Sequence, residues 1–568
     1  MKVSLEPLST RLFADRRTHI IVAIWLVLAF AAPVWWKTTE VYRAPLPFER
    51  IRQCDTPEAL SLKLEVDIHL RLSGSAAASL SHGDAARVTE QVQRGISQVF
   101  SEAAPQSAGS RRVVLAFSVD GAVDPKSWPS DATPSDIDAS LGKEHGRNGA
   151  YDVFVDCSSQ TESVYVGQNR ALFLQLPSGC SKDLIVSRTI ATLSGLFGSE
   201  QRSLSKLYAG RRSRDIDYKS MRTVKYAPQY QIVLSLLVGN PQDNIVTWDI
   251  EKAANAYIAP FLESLSNISD FTITSQILNF AQLPTVPDDQ RQSDGSVEFT
   301  MRPKSLTSFI NSAEWNLASV VSLAPPINLI LYIPPASFSP LVLLHTDGSP
   351  LASNAFLVPQ WGGIVVRSLP KNTPRVHYSV DALHHIMEIF VEQLRGLLGV
   401  EQTHIVNSAQ LLSGVHVQYA SSPELGLTRW EVDRLFRART VLNIVDAAQT
   451  LTSLANLLEQ LSGMVVPDHI QTLVARSLDS IEHAKLDLEQ KRYSSATFYA
   501  RDAITSAEAA FFDPAMVPLL YFPDEHKFAI YMPYFVPVTV PVIIAIIREV
   551  RLRFGGTLSR RLSKKKTA

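Results

Sequence analysis

Two groups of residues in this sequence are of the types from which an active site could be made. The first is His145-Gly146 followed by Cys180. An imidazole beside a thiol is the pair with which a cysteine protease raises its nucleophile, each side chain standing at the end of a core strand. Here Lys143 and Glu144 precede His145 in a polar stretch, and no apolar strand leads in. Cys180 follows an apolar run but carries no caspase-like or legumain-like signature, so no catalytic dyad is expected. The second group is His384, His385 and Glu388. His384 and Glu388 lie one helical turn apart, which suits metal ligands. Yet the HExxH pattern is missing, and adjacent histidines on a helix point about 100° apart. A solvated helix face is the reading that follows. Paired acids such as Asp288-Asp289 sit in a polar loop. No phosphate loop, GxSxG elbow or dinucleotide fingerprint occurs. The sequence therefore assigns no catalytic residue, no metal site and no cofactor.

The elements that would have to position such residues alternate between strand and helix from about Leu62. Strands are expected at Val113–Val119, Tyr151–Cys157, Gln229–Leu237, Phe271–Leu278, Leu329–Ile333 and Gly363–Val366. Helices are expected at Asp84–Ala103, Lys182–Leu196 and Asp249–Leu265, the last opened by an Asp in cap position. This alternation predicts an α/β (mixed α+β) region. Gly121–Ala150 and Pro284–Gly295, rich in turn-forming residues, read as surface loops. After about Ser379 the pattern turns helical, over Ala382–Leu398, Trp430–Leu461, Ile470–Lys491 and Ser494–Phe511. In the first of these, Leu383, Ile386, Met387, Phe390, Leu394 and Leu397 share one face.

Both ends of the chain are apolar. Ile20 to Trp36 runs uncharged behind Arg16-Arg17, short for a bilayer span but ending in Trp35-Trp36, which suit the interface. Ala29-x-Ala31 could serve a signal peptidase, but the long polar leader and Pro33 argue against cleavage. Phe528 to Ile547 is also uncharged, bounded by Lys527 and Arg548, with Pro533, Pro537 and Pro541 four residues apart along one stripe. Lipid cannot satisfy the carbonyls these prolines release, so the stripe should face protein or a polar cavity. Basic residues crowd both outer flanks: Lys2, Arg11, Arg16 and Arg17 at one end, and Arg548, Arg551, Arg553, Arg560, Arg561 and Lys564 to Lys566 at the other. Positive flanks stay in the cytosol, which puts the long middle in the lumen. The expected plan is a cytosolic leader 1–19, a transmembrane helix 20–36, a lumenal α/β region 37–378, a mainly helical lumenal region 379–527, a second transmembrane helix 528–547 and a basic tail 548–568. The sequon Asn267-Ile268-Ser269 falls in the lumenal part. The terminal Lys565-Lys566-Thr567-Ala568 resembles a dilysine retrieval signal for the endoplasmic reticulum. Cys54, Cys157 and Cys180 allow one bridge at most, with Cys157–Cys180 the nearest pair in sequence. A net charge of −1 gives no reason to expect nucleic acid.

The stretch Trp35–Pro47, WWKTTEVYRAPLP, and the stretch Tyr521–Pro533, YFPDEHKFAIYMP, resemble the S subunit of the glycosylphosphatidylinositol (GPI) transamidase, the phosphatidylinositol-glycan class S family. Between them WDIE (Trp248–Glu251), SQIL (Ser275–Leu278), WGGI (Trp361–Ile364), LLSG (Leu411–Gly414), WEVDRL from Trp430, TLTSLANLL (Thr450–Leu458) and FFDP (Phe511–Pro514) follow in the family's order. The resemblance covers both ends and roughly residues 225 to 547; residues 55 to 220 share only its general character. It implies a non-catalytic subunit of the complex that joins a proprotein's new carboxyl end to a GPI lipid. The partners it implies are the catalytic K subunit, the T subunit, the U subunit and the anchor-attachment subunit, with membrane lipid, GPI among the candidates. The competing readings are a stand-alone lumenal thiol hydrolase and a cell-surface adhesion or receptor protein.

Overall fold

The computed structural model describes residues 8–39, 42–80, 84–102, 113–123, 132–141, 149–209, 222–283, 286–291, 297–303, 305, 324–370, 374–406, 410, 412–422, 425–461, 464–515 and 524–564. The chain forms two units: Met1–Phe48 with Leu451–Ala475 and Glu508–Ala568, and Glu49–Thr450 with Arg476–Ala507.

The larger unit holds two α/β lobes. The first sheet comprises β1 (Leu62–Leu72), β2 (Val113–Val123), β3 (Ala150–Ser159), β4 (Ser163–Val166), β5 (Ala171–Pro177) and, from far downstream, β16 (His416–Tyr419), in the order β16-β4-β5-β3-β1-β2. β2, β1, β3 and β5 are parallel, and β4 returns antiparallel beside β5. β1 alternates fully: every second residue from Leu62 to Leu72 is buried while Lys63, Glu65, Asp67, His69 and Arg71 point the other way. Its helices are α2 (Phe48–Cys54), α3 (Gly74–Ala78), α4 (Asp84–Glu102), α5 (Pro134–Leu141) and α6 (Lys182–Ala209).

The second sheet repeats the plan with β6 (Gln229–Val238), β8 (Asp270–Asn279), β11 (Pro326–Ile333), β13 (Ala355–Val358) and β14 (Gly362–Val366), in the order β13-β14-β11-β6-β8. β6 and β11 are buried on both faces, which is why they read as unbroken apolar runs. Small sheets flank it: β7 (Ile245–Trp248) beside β15 (Arg375–Tyr378), and β9 (Asp288–Arg291), β10 (Val297–Met301) and β12 (Leu341–Leu343) together. The helix after β7 is α7 (Ile250–Ala253), a π turn (Ala254–Ile258) and α8 (Ala259–Ser264). Pro260 has no N–H to continue the regular ladder at that turn. Asp249 stands in cap position but makes no side-chain capping bond. α9 (Val380–Leu398) closes the core with the six-residue apolar face expected of it. Ser379 accepts from the Ala382 N–H at its start, and Gly399, at φ 77°, ends it.

The helical part follows as α10 (Arg429–Gln460), α11 (Asp468–Glu489), α12 (Tyr493–Phe511) and α13 (Asp524–Lys564). Two expected loops carry structure: β2 continues to Val123 and α5 forms inside Gly121–Ala150, while β9 forms inside Pro284–Gly295. α6 runs past Leu196 to Ala209.

Cys157, near the end of β3, is joined to Cys180, just before α6, with Cα atoms 5.8 Å apart. Replacing both with serine should cost about 2–4 kcal/mol by enlarging the unfolded ensemble. An unchanged denaturant midpoint in the double variant would count against that.

Candidate functional site

His145 lies outside the described residues. Cys180 is spent in its disulfide and offers no thiolate. Cys54 is the free cysteine among the described residues, and burial pushes its thiol up to about 11, away from the reactive form at neutral pH. His384, His385 and Glu388 stand together on the exposed face of α9: Glu388 takes His385 Nδ1 at 3.3 Å and His384 Nε2 at 3.8 Å. Among the described residues no group of three His, Cys, Asp or Glu side chains could hold a metal ion.

In open α/β sheets ligands favour the crevice at the strands' carboxyl ends where strand order reverses. Both lobes have such a point, beside β1 and beside β6, and the chain fills each from within. In the first lobe the Asp156 carboxylate receives the hydroxyls of Ser73 (2.7 Å), Ser75 and Ser158. Burial would raise this acid, but the three donors hold it below the usual carboxylate value. In the second lobe Gly239 lies so close to Pro335 that an added Cβ would stand 2.5 Å from the proline ring. Asp243 there accepts the Ala336 N–H at 2.9 Å.

A groove of about 950 Å³ lies between the lobes. One part of the lining is α9, through His384, Glu388 and Glu392; another is the chain from Tyr419, the last residue of β16, to Ser422; the remainder includes Tyr257, Met387 and Trp430. Its base is fixed by a reciprocal cap on α10. Thr428 Oγ1 accepts the Glu431 N–H, and Glu431 returns to the Thr428 N–H at 2.8 Å. Glu431 also takes Arg395 in a forked pair (2.8 and 3.1 Å), and Arg395 donates to the Gly426 carbonyl.

Behind the groove, α10 is bolted to the first lobe by buried charges. Asp433, fully buried, accepts Arg170 Nε and Nη2 (2.5 and 2.6 Å) and the Tyr151 hydroxyl (3.0 Å). One turn on, Arg437 forks onto Glu200 (2.6 and 2.9 Å) and donates to the Tyr151 oxygen at 2.9 Å. Burial drives the Tyr151 hydroxyl well above its ordinary pKa, so it stays a donor. Lys491 reaches Asp67, and Arg501 reaches Asp270 and the Ser266 carbonyl, so helices and both lobes are tied together.

In the smaller unit α1 (Leu8–Thr39) meets α13: Trp35 packs edge-on against Tyr531 (5.4 Å) and Phe535 (5.0 Å). Arg43 donates to the carbonyl of Leu458 in the last turn of α10 and to those of Leu461 and Met464 just beyond it, and Tyr42 donates to Asp468. Sequence reasoning singled out this stretch as a string, but its capping role needs partners over 400 positions away in sequence. Ala529–Arg548 within α13 is 20 residues long and apolar enough to cross a membrane. The apolar part of α1, His19–Trp35, is shorter than such a span. Pro533, Pro537 and Pro541 are exposed, on positions other than the Tyr531 and Phe535 that meet α1.

These features define a class: a two-lobed α/β protein braced by long helices, ending in an apolar helix of membrane-spanning length. Residues 22–554 match the family described as phosphatidylinositol-glycan biosynthesis class S protein. The chain is 32% identical to the GPI-anchor transamidase component PIGS of Rattus norvegicus, over 92% of this chain and 93% of that one. It is 31% identical to the component of the same name from Homo sapiens, over 94% of each. With the GPI transamidase component PIG-S homolog of Schizosaccharomyces pombe it shares 26%, over 94% of this chain and 84% of that one. The chain belongs to the phosphatidylinositol-glycan biosynthesis class S family.

Proposed function

We propose that the chain is a non-catalytic, structural component of the GPI transamidase, supporting attachment of GPI anchors to proprotein C-termini at the endoplasmic reticulum membrane. The observation that carries this is similarity along nearly the whole chain to proteins named as components of that complex. The K, T, U and anchor-attachment subunits are its proposed partners, with the catalytic cysteine on the K subunit. Purifying the tagged full chain in mild detergent should recover a caspase-like subunit and several multi-span proteins in stoichiometric amounts. Recovery of a stable monomer would overturn the reading. The thiol-hydrolase alternative loses its nucleophile to the Cys157–Cys180 bridge.

The proposed topology has two spans, 20–36 and 528–547, both termini cytosolic, and the α/β region 37–378 and helical region 379–527 in the lumen. The basic flanks support it, as does a disulfide, which persists in an oxidising compartment. Asn267 is the proposed glycosylation site. It is half-exposed in the turn after α8, while Ser269 of the sequon is buried and donates to the Ala227 carbonyl at 2.8 Å. Transfer would therefore precede closure of this turn. Endoglycosidase should sharpen the gel mobility of the wild-type chain and leave Asn267→Gln unmoved; a wild-type chain indifferent to the enzyme would sink the assignment.

A further inference from the structure

The groove between the lobes has a charge that the chain does not balance. With its imidazoles, His384 and His404, counted as neutral, its charged lining is Glu388, Glu392, Arg395 and Glu431, three carboxylates to one cation, His384 lying 3.8 Å from Glu388. The Arg395 side chain is 11% exposed and already committed to Glu431 and Glu392. The side chains of Glu388 and Glu392 are 55% and 68% exposed, one turn apart on the same wall. Between the walls lie apolar surfaces, from Tyr257, Pro260, Met387, Val391 and Leu425. A site of this size with apolar lining and a few fixed charges suits a segment of several residues.

The Tyr419–Ser422 part of the lining continues from a sheet edge. β16 is the last strand of the first sheet and pairs with β4 alone. The N–H groups of His416 and Ala420 bond to Glu162 and Val166, on the β4 side. By strand alternation the backbone groups of Val417 and Tyr419 point to the other side. Among the described residues no second strand lies on that side. Tyr419 itself lines the groove, its hydroxyl held by the Ile405 N–H at 3.0 Å. An open strand edge is a template for an extended chain, which gains backbone hydrogen bonds there and specificity from its side chains.

We propose that this groove binds an extended polypeptide segment of another protein, added along β16, with a basic side chain seated between Glu388 and Glu392. Charge complementarity selects this occupant. An acidic segment would meet a wall already carrying surplus negative charge. The inference stands on groove geometry and is independent of the transamidase reading.

The test uses the full chain in mild detergent and two fluorescent, end-blocked peptides, Val-Thr-Arg-Val-Thr-Val and the same peptide with Glu for Arg. The arginine peptide should bind at least about tenfold more tightly. The double variant Glu388→Gln/Glu392→Gln, at exposed positions, should erase that difference without moving the melting temperature. A photo-reactive phenylalanine analogue at Leu425 should crosslink the arginine peptide. Equal binding of the two peptides, no saturable binding of either, an unchanged preference in the double variant, or absence of the crosslink would each overturn the proposal.

Discussion

Replacing Asp433 with alanine should destabilise the larger unit by about 3–5 kcal/mol, because it removes one side of a buried ion pair, the carboxylate that accepts Arg170 Nε and Nη2. The loss extends beyond one ion pair. Tyr151 gives its hydroxyl proton to Asp433 while accepting from Arg437, so the phenol also loses its acceptor and the Arg437–Glu200 pair loses its orienting neighbour. Asp433→Ala combined with Arg170→Met should recover a large part of the stability, since the double variant removes both charges of the buried pair. Thermal unfolding of the detergent-solubilised chain reads both. A single variant that melts with wild type would show that water reaches this site and that the buried-charge account is wrong.

Replacing Pro533, Pro537 and Pro541 together with leucine should cut recovery of partner subunits by about tenfold, equivalent to about 1.4 kcal/mol of assembly energy. Each proline lacks the N–H that would bond the carbonyl four residues earlier, which leaves those of Ala529, Pro533 and Pro537 in want of donors. In hydrocarbon such groups need protein or water. Among the described residues the stripe is exposed while Tyr531 and Phe535 face Trp35 of α1, so the expected donors are a partner protein or a polar cavity. Leucine is more favourable in a membrane helix than proline, so failed insertion would not explain a loss. Normal co-purification of the triple variant would remove the stripe from the assembly surface.

Much of the fold was legible because it follows period and caps. α9 to α12 fall within about two residues of their expected ends. α9 shows why: a serine cap, a six-residue apolar face and a glycine stop are all local signals. β6 and β11 announced themselves as solid apolar runs. β1, beside the edge strand β2 of the first sheet, did not, because Lys63, Glu65, Asp67, His69 and Arg71 interrupt every apolar residue and only strict alternation betrays it. α10 carried the opposite trap. Asp433 and Arg437 look like solvent-facing residues of an ordinary helix, yet both are buried, because their counter-charges Arg170 and Glu200 come from distant stretches. The groove was similarly hidden. His384 and Glu388 attracted notice as metal ligands, whereas their place on one wall depends on β16 and the start of α10 arriving opposite.

The cap that Arg43 places on α10 also sets a timetable. The guanidinium and the Leu458 carbonyl are 415 positions apart, and ribosomes add about 5–20 residues per second. Arg43 is therefore made about 20 to 80 s before the helix end it closes, and Trp35 waits longer still for Tyr531. The smaller unit cannot mature from its N-terminus onward. Its completion reports that translation has passed Tyr531, and a ribosome that stalls before Leu458 leaves the cap without its helix.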